Sequence, residues 1–285
     1  MESIGIIIVN KNDSRFLISL ISEFKKQGAR EIIVVDDNST DGSVELAIQA
    51  GADEVVIKDG KSGPFSSFIQ GARIAQNKYV SCWSSDDLPI NGYINKMESL
   101  INKFQNRSLY TCNAVVEREG THYQRTLFPF TAYVSPDYMV KIFKNGHAKS
   151  LNLIGSVMNK NLPISCWEAG GSKLPLNFDG MFFFFAAFNE GIVNHGEHLV
   201  MYRSYPNSFG ACVDPQKTKD AIAIIEGLYA KYPHIAERAY ESGIFSQKAQ
   251  FLSSFALKNI MKLPKFMREM FYKWFYSYDW RIEKL

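Results

Sequence analysis

Residues 31–43 read Glu31-Ile32-Ile33-Val34-Val35-Asp36-Asp37-Asn38-Ser39-Thr40-Asp41-Gly42-Ser43. The apolar run is continuous and β-branched, the pattern of a strand buried on both faces of a parallel sheet. It stops at four small polar residues suited to a turn. Helical spacing then begins near Asp41, with Val44, Leu46, Ala47 and Ile48, and Ser39, Thr40 or Asp41 can each cap that helix. In open α/β sheets, ligands bind just beyond the carboxyl ends of the strands. Asp36 and Asp37 therefore have two readings. They stop a strand and cap a helix, or they form a site that accepts hydrogen bonds from a nucleobase N–H or a ribose hydroxyl.

The same unit extends outward on both sides. Upstream, Ile4–Val9 is an apolar strand, 10–14 is polar and turn-like, and Phe16, Leu17, Leu20, Ile21 and Phe24 follow at helical spacing up to Gly28. Strand, helix and strand in this order predict a right-handed parallel crossover. Downstream come a helix over 43–50, a strand over 54–57 and the basic loop 58–64, in which Lys58 and Lys61 can meet phosphates or simply be solvated. The loop lacks the ordered glycines and Gly-Lys-Ser/Thr ending of a P-loop. A helix over 65–76 and a strand over 78–83 lead to Ser84-Ser85-Asp86-Asp87, a second acidic strand end. Carboxylates there suit Mg²⁺ or Mn²⁺ held by one or two protein oxygens plus substrate phosphates, or they cap a helix before Leu88-Pro89.

Farther on, the pattern predicts a helix over 94–104, a strand over 109–117, an irregular loop or hairpin over 117–131 and a helix over 136–143. A strand over 153–158 follows, then the apolar helix 181–188 and an edge strand over 200–203. Asp179 stands just before the aromatic helix. It is either an N-cap or a catalytic base whose pKa its apolar neighbours raise.

The stretch from Val34 to Ser43 resembles the second strand of family 2 glycosyltransferases, the inverting GT-A enzymes that use nucleotide-sugars, whose phrase is roughly (I/V)-(I/V)-V-D-D-x-S-x-D-G-(S/T). The resemblance implies that Asp37, with Asn10, Asp36, Lys61 and Ser85 around it, binds the donor nucleotide. The second acidic end falls at the family's D-x-D signature. Ser84 replaces its first Asp, and Asp86, with Asp87, inherits the divalent metal. The family's Arg-Asn pair in the helix after the Gly-rich loop is replaced by Phe68 and Ile69. A third likeness is the spacing from Asp179 through Gly191 to Tyr202, Arg203 and Ser208, where the family shows Glu-Asp, an aromatic helix and Tyr-Arg-x-His-x-x-Ser. It makes Asp179 the base and Arg203, Tyr205 and Ser208 a lid near the diphosphate. Phe178 stands for the Glu and Tyr205 for the His, with His195 and His198 just upstream as candidates to compensate.

Composition narrows the partners. A net charge of +3 is too small to argue for nucleic acid. Cys82, Cys112, Cys166 and Cys212 are scattered without metal-ligand spacing, which suggests a reducing cytoplasm. No apolar run approaches the roughly 18 residues of a membrane span. The tail is basic, with 12 Lys and Arg against 7 Asp and Glu over 216–285. Over 261–278 it mixes Lys262, Lys265, Arg268 and Lys273 with Phe266, Phe271, Trp274, Phe275 and Tyr276. That mixture suits a helix in the headgroup layer of an anionic membrane, or one packed on its own domain or a second subunit.

The expectation is an α/β GT-A domain over 1–213, with a nucleotide-sugar half over 1–110 and an acceptor half over 111–213, and a helical extension over 214–285. Its expected reaction moves a sugar, with inversion, from a nucleoside-diphosphate donor (UDP favoured) to a glycan or lipid-linked hydroxyl in surface polysaccharide synthesis. The expected location is the cytoplasm or the inner face of the cell membrane. A non-catalytic nucleotide- or carbohydrate-binding relative is the main alternative. A sugar nucleotidyltransferase would need an early Gly-rich phosphate loop, and 10–14 contains no glycine.

Overall fold

The computed structural model describes residues 2–58, 63–118, 120–144, 154–169, 180–204, 227 and 231–243. Its centre is a 10-stranded mixed sheet. The strands are β1 (Ile4–Asn10), β2 (Glu31–Asp36), β3 (Glu54–Ile57), β4 (Tyr79–Ser84), β5 (Leu88–Pro89), β6 (Leu109–Arg118), β7 (Thr121–Arg125), β8 (Ala132–Val134), β9 (Val157–Asn159) and β10 (Ile192–Arg203). The order is β3-β2-β1-β4-β9-β6-β10-β5, with β7 paired to β6 and β8 to β10. The first four strands of that order run parallel. The short β9 is antiparallel to both its neighbours, so β6 and β10 resume the original direction.

Helices α1 (Ser14–Lys26), α2 (Ser43–Gln49), α3 (Gly63–Ile74), α4 (Tyr93–Lys103), α5 (Pro136–Lys144), α6 (Asn161–Glu168), α7 (Gly180–Asn189) and α8 (Pro233–Ser242) complete the fold. The continuous apolar strands serve both faces, because successive side chains of a strand alternate. Ile6, Ile8, Ile32 and Val34 join the core beneath α1 and α4. Ile7, Val9, Ile33 and Val35 join the opposite core, with residues of α3, α5, α6 and α7. Helix α3 lies close to the sheet because Gly71 permits it: a Cβ there would stand 2.5 Å from Ile7. Phe68 and Ile69 are buried in that core, so apolar packing occupies the positions where the family carries Arg-Asn.

One expectation changes and two gain detail. The predicted edge strand over 200–203 is the last third of β10, which starts at Ile192 and lies inside the sheet, with β6 on one side and β8 and β5 on the other. Its polar middle, with His195, Glu197 and His198, masked the period, and register shifts on either side of His198 break the alternation. The loop-or-hairpin segment resolves into the β6–β7 hairpin. Finally, the part of the tail at α8 packs on the main body, where Ile235 and Ala239 are buried with α5 and α7 side chains and Arg238 donates to the Phe188 carbonyl at 2.9 Å.

The proposed boundary at 213–214 and the basic aromatic stretch 261–278 lie outside the described residues. No helix among the described residues is long and apolar enough to cross a membrane.

Candidate active site

Parallel register draws the acidic strand ends together. Asn10 pairs with Asp36 between β1 and β2, Ile57 pairs with Asp36 between β3 and β2, and Val9 pairs with Ser84 between β1 and β4. The residues one step beyond these pairs therefore line a single rim: Lys58 beside Asp37, then Asn10 and Lys11, then Ser85 and Asp86. Backbone bonds close the corners, with Asp37 N–H donating to the Asn10 carbonyl and Lys58 N–H to the Asp36 carbonyl, both at 2.9 Å.

At the β2 end the two carboxylates divide the work. Asp36 is fully buried and accepts from Ser39 N–H at 2.6 Å, the Ser39 hydroxyl at 2.7 Å and Asn10 Nδ2 at 2.7 Å. It holds the strand–loop junction, which explains the paired Asp without giving Asp36 a ligand. Asp37 is also buried, but it faces cations. Lys58 Nζ lies 3.5 Å from its Oδ1 and Lys11 Nζ 3.6 Å from its Oδ2, while Lys11 Nζ donates to the Asp37 carbonyl at 2.7 Å. Burial pushes the Lys58 ammonium below its usual range, and the Asp37 charge partly restores it.

Of the three capping candidates, Asp41 reaches the start of α2, accepting from the N–H of Ser43, its first residue. Gly42 occupies the N-cap position at φ 80, a conformation open to glycine at little steric cost. Asp41 ties two helix starts together, accepting from Ser43 N–H at 3.2 Å and from Ser14 N–H at 2.8 Å. Burial opposes its ionisation, but the Ser43 and Ser14 hydrogen bonds outweigh that effect and hold its carboxyl at about 2.

At the β4 end the strand pairing of β5 with Val200 and Met201 brings Arg203 against the acidic turn. Its backbone N–H donates to Asp87 Oδ1 at 3.1 Å and its Nη1 to the Asp86 carbonyl at 2.8 Å. Its Nε binds Glu117 at 3.2 Å, and its guanidinium lies 4.9 Å from the Phe16 ring centre. Asp87 is fully buried, and burial followed by the charge of Asp86 pushes its carboxyl well above the usual range. Asp86 is raised as well: burial is the largest cause, a hydrogen bond from Ser84 opposes it, and the neighbouring Asp13 adds to it. Ser85 donates to Asp13 at 3.3 Å.

Among the described residues, four buried side-chain oxygens have no hydrogen-bond partner: Asn10 Oδ1, Gln27 Oε1, Asp37 Oδ1 and Asp87 Oδ2. Native proteins leave few such atoms, and two of these four, Asn10 Oδ1 and Asp37 Oδ1, belong to the rim, the latter facing Lys58 Nζ at 3.5 Å. Acceptors without donors are what a ligand bearing N–H or hydroxyl groups, or a cation, would satisfy.

The described residues contain no group of three or more His, Cys, Asp or Glu able to enclose a metal. Asp86 with Asp13 beside it instead fits a divalent ion held by one or two carboxylates and completed by phosphates. His195 and His198 lie within β10. There His198 Nε2 bonds Thr126 Oγ1 at 2.9 Å, and burial lowers both pKa values.

Asp179, Lys61, Tyr205 and Ser208 lie outside the described residues. Sequence reasoning placed Lys58 only as a loop charge, and it gave no role to Asp13 or Glu117. A signal for Lys58 was available, since equal strand ends in a parallel pair put the residue after Ile57 beside the one after Asp36.

Comparison with known proteins bears on the family and the fold. The profile of Glycosyl transferase family 2 matches residues 5–158. A 93-residue segment is 29% identical to Glycosyltransferase GlyG of Streptococcus pneumoniae serotype 4 (strain ATCC BAA-334 / TIGR4), spanning 30% of this chain and 31% of that protein. The chain thus spans about a third of that relative's length. The fold resembles the crystal structure of S. aureus TarS 1-349, with TM-score 0.65 and 17% identity over 88% of this chain and 74% of the other. It also resembles the same protein in complex with UDP-GlcNAc, with TM-score 0.66 and 16% identity over 88% and 75%. The family match covers more than half of the residues and runs from β1 into β9, taking in both acidic strand ends, and the chain belongs to glycosyl transferase family 2.

Proposed function

We propose that this family 2 glycosyltransferase moves a sugar, with inversion, from a nucleoside-diphosphate donor to a hydroxyl of a glycan or lipid-linked glycan. A UDP-sugar is the favoured donor, and surface polysaccharide synthesis the favoured setting. The observation that carries the reading is the strand-end rim itself, where Asn10 Oδ1 is buried without a hydrogen-bond partner and Asp37 meets the ammonium groups of Lys11 and Lys58. A nucleotide brings donors to such a rim: a base N–H for Asp37 and ribose hydroxyls for Asn10, with Ser85 and Lys61 farther along.

The diphosphate then lies toward the β4 end. Asp86, with Asp87 behind it and Asp13 beside it, would hold Mg²⁺ or Mn²⁺ there. When bound, such an ion neutralises charge that builds on the departing diphosphate. Arg203 is fixed by Glu117 and the Asp86 carbonyl, so its guanidinium is placed for the same region, with Tyr205 and Ser208 following as a lid. Asp179 takes the proton of the acceptor hydroxyl as that oxygen attacks the anomeric carbon and the bond to the diphosphate breaks. A single in-line displacement inverts the centre. General-base help of this kind is worth about 10²–10⁴-fold.

The test uses UDP-GlcNAc, the sugar nucleotide bound to TarS, with Mn²⁺, and reads UDP release and UDP binding. The native chain is expected to release UDP. Asp179→Asn is expected to lose about 10²–10⁴-fold in turnover with UDP affinity intact. Full turnover in the variant overturns the base assignment. Nucleotide binding without turnover on any sugar nucleotide would favour the non-catalytic relative, in line with Ser84, Phe178 and Tyr205 at usual functional positions.

A further inference from the structure

Helix α7 is apolar on every side. From Met181 to Phe188 no residue is polar, and four consecutive phenylalanines, about 100° apart, spread round the whole circumference. Each direction finds an apolar neighbour. Phe182 meets Phe65 of α3 at 4.6 Å between ring centres, Phe184 meets Phe143 of α5 at 5.2 Å, and Phe185 meets Tyr232 at 5.1 Å. A helix that is hydrophobic all round is held by burial, but burial is non-directional. Turning α7 by one residue exchanges one phenylalanine for the next, so apolar packing fixes its rotation about its own axis only weakly.

Directional contacts stand at its C-terminal end. Arg238 of α8 donates from Nη1 to the Phe188 carbonyl at 2.9 Å and from Nη2 to Asp137, in the first turn of α5, at 3.1 Å. His234, one turn earlier on α8, bonds Asn189 Oδ1 through Nε2 at 3.0 Å. Tyr133 donates to the Glu190 carbonyl at 2.9 Å, and the Ser108 N–H to the Glu190 carboxylate. Just ahead of α8, Lys231 donates to the Ala169 carbonyl at the end of α6 at 3.1 Å. Residues 231–238 therefore touch both helices that flank 170–179. The Arg238–Asp137 pair adds little to stability, because Asp137 is 84% exposed and exposed ion pairs are worth little. What Arg238 supplies is direction: a planar fork of fixed geometry that joins the end of one helix to the start of another.

We propose that Arg238, with His234 beside it, is a positioning residue for catalysis, setting the rotation of α7 and through it the placement of Asp179. This rests on the reading of Asp179 as the base. The ten residues of α7 form a rod about 15 Å long. Its rotation at Asn189 sets the direction in which the chain enters Gly180, one residue after Asp179. A polar contact that fixes register in an otherwise interchangeable apolar interface is the best-attested use of such groups. Helix α8 lies beyond the 5–158 segment matched by the family profile.

The test measures turnover, UDP affinity and melting temperature of the full chain in Mn²⁺. Turnover is read as UDP release from whichever of UDP-GlcNAc, UDP-glucose and UDP-galactose the native chain uses. The variants are Arg238→Met, Arg238→Lys, His234→Ala, Lys144→Met and Asp179→Asn. Arg238→Met is expected to lose turnover by roughly ten- to a hundredfold, the scale of a small misplacement of a reacting group, with UDP affinity unchanged. Arg238→Lys keeps one donor for the Phe188 carbonyl and is expected to recover part of the loss. His234→Ala is expected to fall less, in the same direction. Lys144→Met removes the Lys144–Glu241 pair that joins α5 to α8 without touching α7, and is expected to keep native turnover with a melting temperature close to that of Arg238→Met. His234 is exposed, so His234→Ala decides the matter if Arg238→Met fails to fold.

Native turnover in both Arg238→Met and His234→Ala, with Asp179→Asn inactive, would overturn the proposal and leave the base reading intact. Turnover, UDP affinity and melting temperature falling together would overturn it as well, since α8 would then be scaffolding alone. So would a loss of turnover in Lys144→Met equal to that in Arg238→Met. Native turnover in Asp179→Asn would overturn the base reading and the proposal with it.

Discussion

At the end of β2 the first carboxylate of the pair is structural and the second faces outward to other groups; at the end of β4 the order is reversed. Asp36 is saturated by Ser39 and Asn10, and Asp37 meets Lys11 and Lys58. Asp87 is turned inward onto the Arg203 N–H, and Asp86 stays beside Asp13. The charge balance differs too. Around Asp37 the lysine charges compensate the carboxylates. At β4 the carboxylates of Asp13, Asp86, Asp87 and Glu117 face the guanidiniums of Arg15 and Arg203, and both acids of the turn resist ionisation. A neutral, hydrogen-bonding base suits the first end. An added cation suits the second.

The sharpest way to break this comparison is Asp86→Asn. Turnover on a UDP-sugar is expected to fall by about 10²–10³-fold, the scale of removing one electrostatic contact to the reacting charge. The folded chain is expected to be at least as stable, because a carboxylate whose burial opposes ionisation has been removed. Equal loss of fold and activity would show that Asp86 is structural.

Asp36→Asn tests the opposite end. The exchange places an amide N–H among donors and is expected to lower stability by about 2–3 kcal/mol in chemical unfolding. A change below ~1 kcal/mol would mean that the Ser39 and Asn10 bonds do not hold the junction.

Asp87→Asn sets the two buried acids against each other. The folded pKa of Asp87 is raised, so its charge disfavours the folded state increasingly as pH rises above 3.8, the ordinary value. At pH 7 the Asn variant, whose Oδ1 still accepts from Arg203, is expected to gain about 1 kcal/mol. The gain should vanish below pH 4. A loss at pH 7 comparable to that of Asp36→Asn would erase the distinction.

The smallest effect belongs to Asp41, whose carboxyl is depressed from 3.8 to about 2. A depressed acid contributes stability above its unfolded value and loses it as pH falls through the folded one. Melting scans are therefore expected to show an Asp41-dependent fall of only ~1–2 °C between pH 4 and pH 2, absent in Asp41→Asn. The effect is small because the group is mostly solvated.

Much of the fold was legible because its signals are local. Runs such as Ile6-Ile7-Ile8 and Ile32-Ile33-Val34-Val35 are apolar on both faces wherever they sit, and each is followed by a polar turn and a helical period. β10 was not legible in full. Its first seven residues carry Asn194, His195, Glu197 and His198, and two of these are accommodated by partners far away: Thr111 for Asn194 and Thr126 for His198. The Phe68-Ile69 departure read as a lost contact, and its burial against Ile7 and Val35 shows what replaced it.

By itself the sequence determined the repeated strand–turn–helix units and the two acidic strand ends, since hydrophobic period and turn chemistry act over a few residues. Only the tertiary structure decided which acid of each pair is spent on the fold. Asp87 is committed because Arg203 arrives from 116 residues away. Asp36 is committed because Asn10 arrives from 26 away. Parallel pairing likewise brings Lys58 to Asp37. Such partners are joined by strand register and not by chain distance, and register is a property of the assembled sheet.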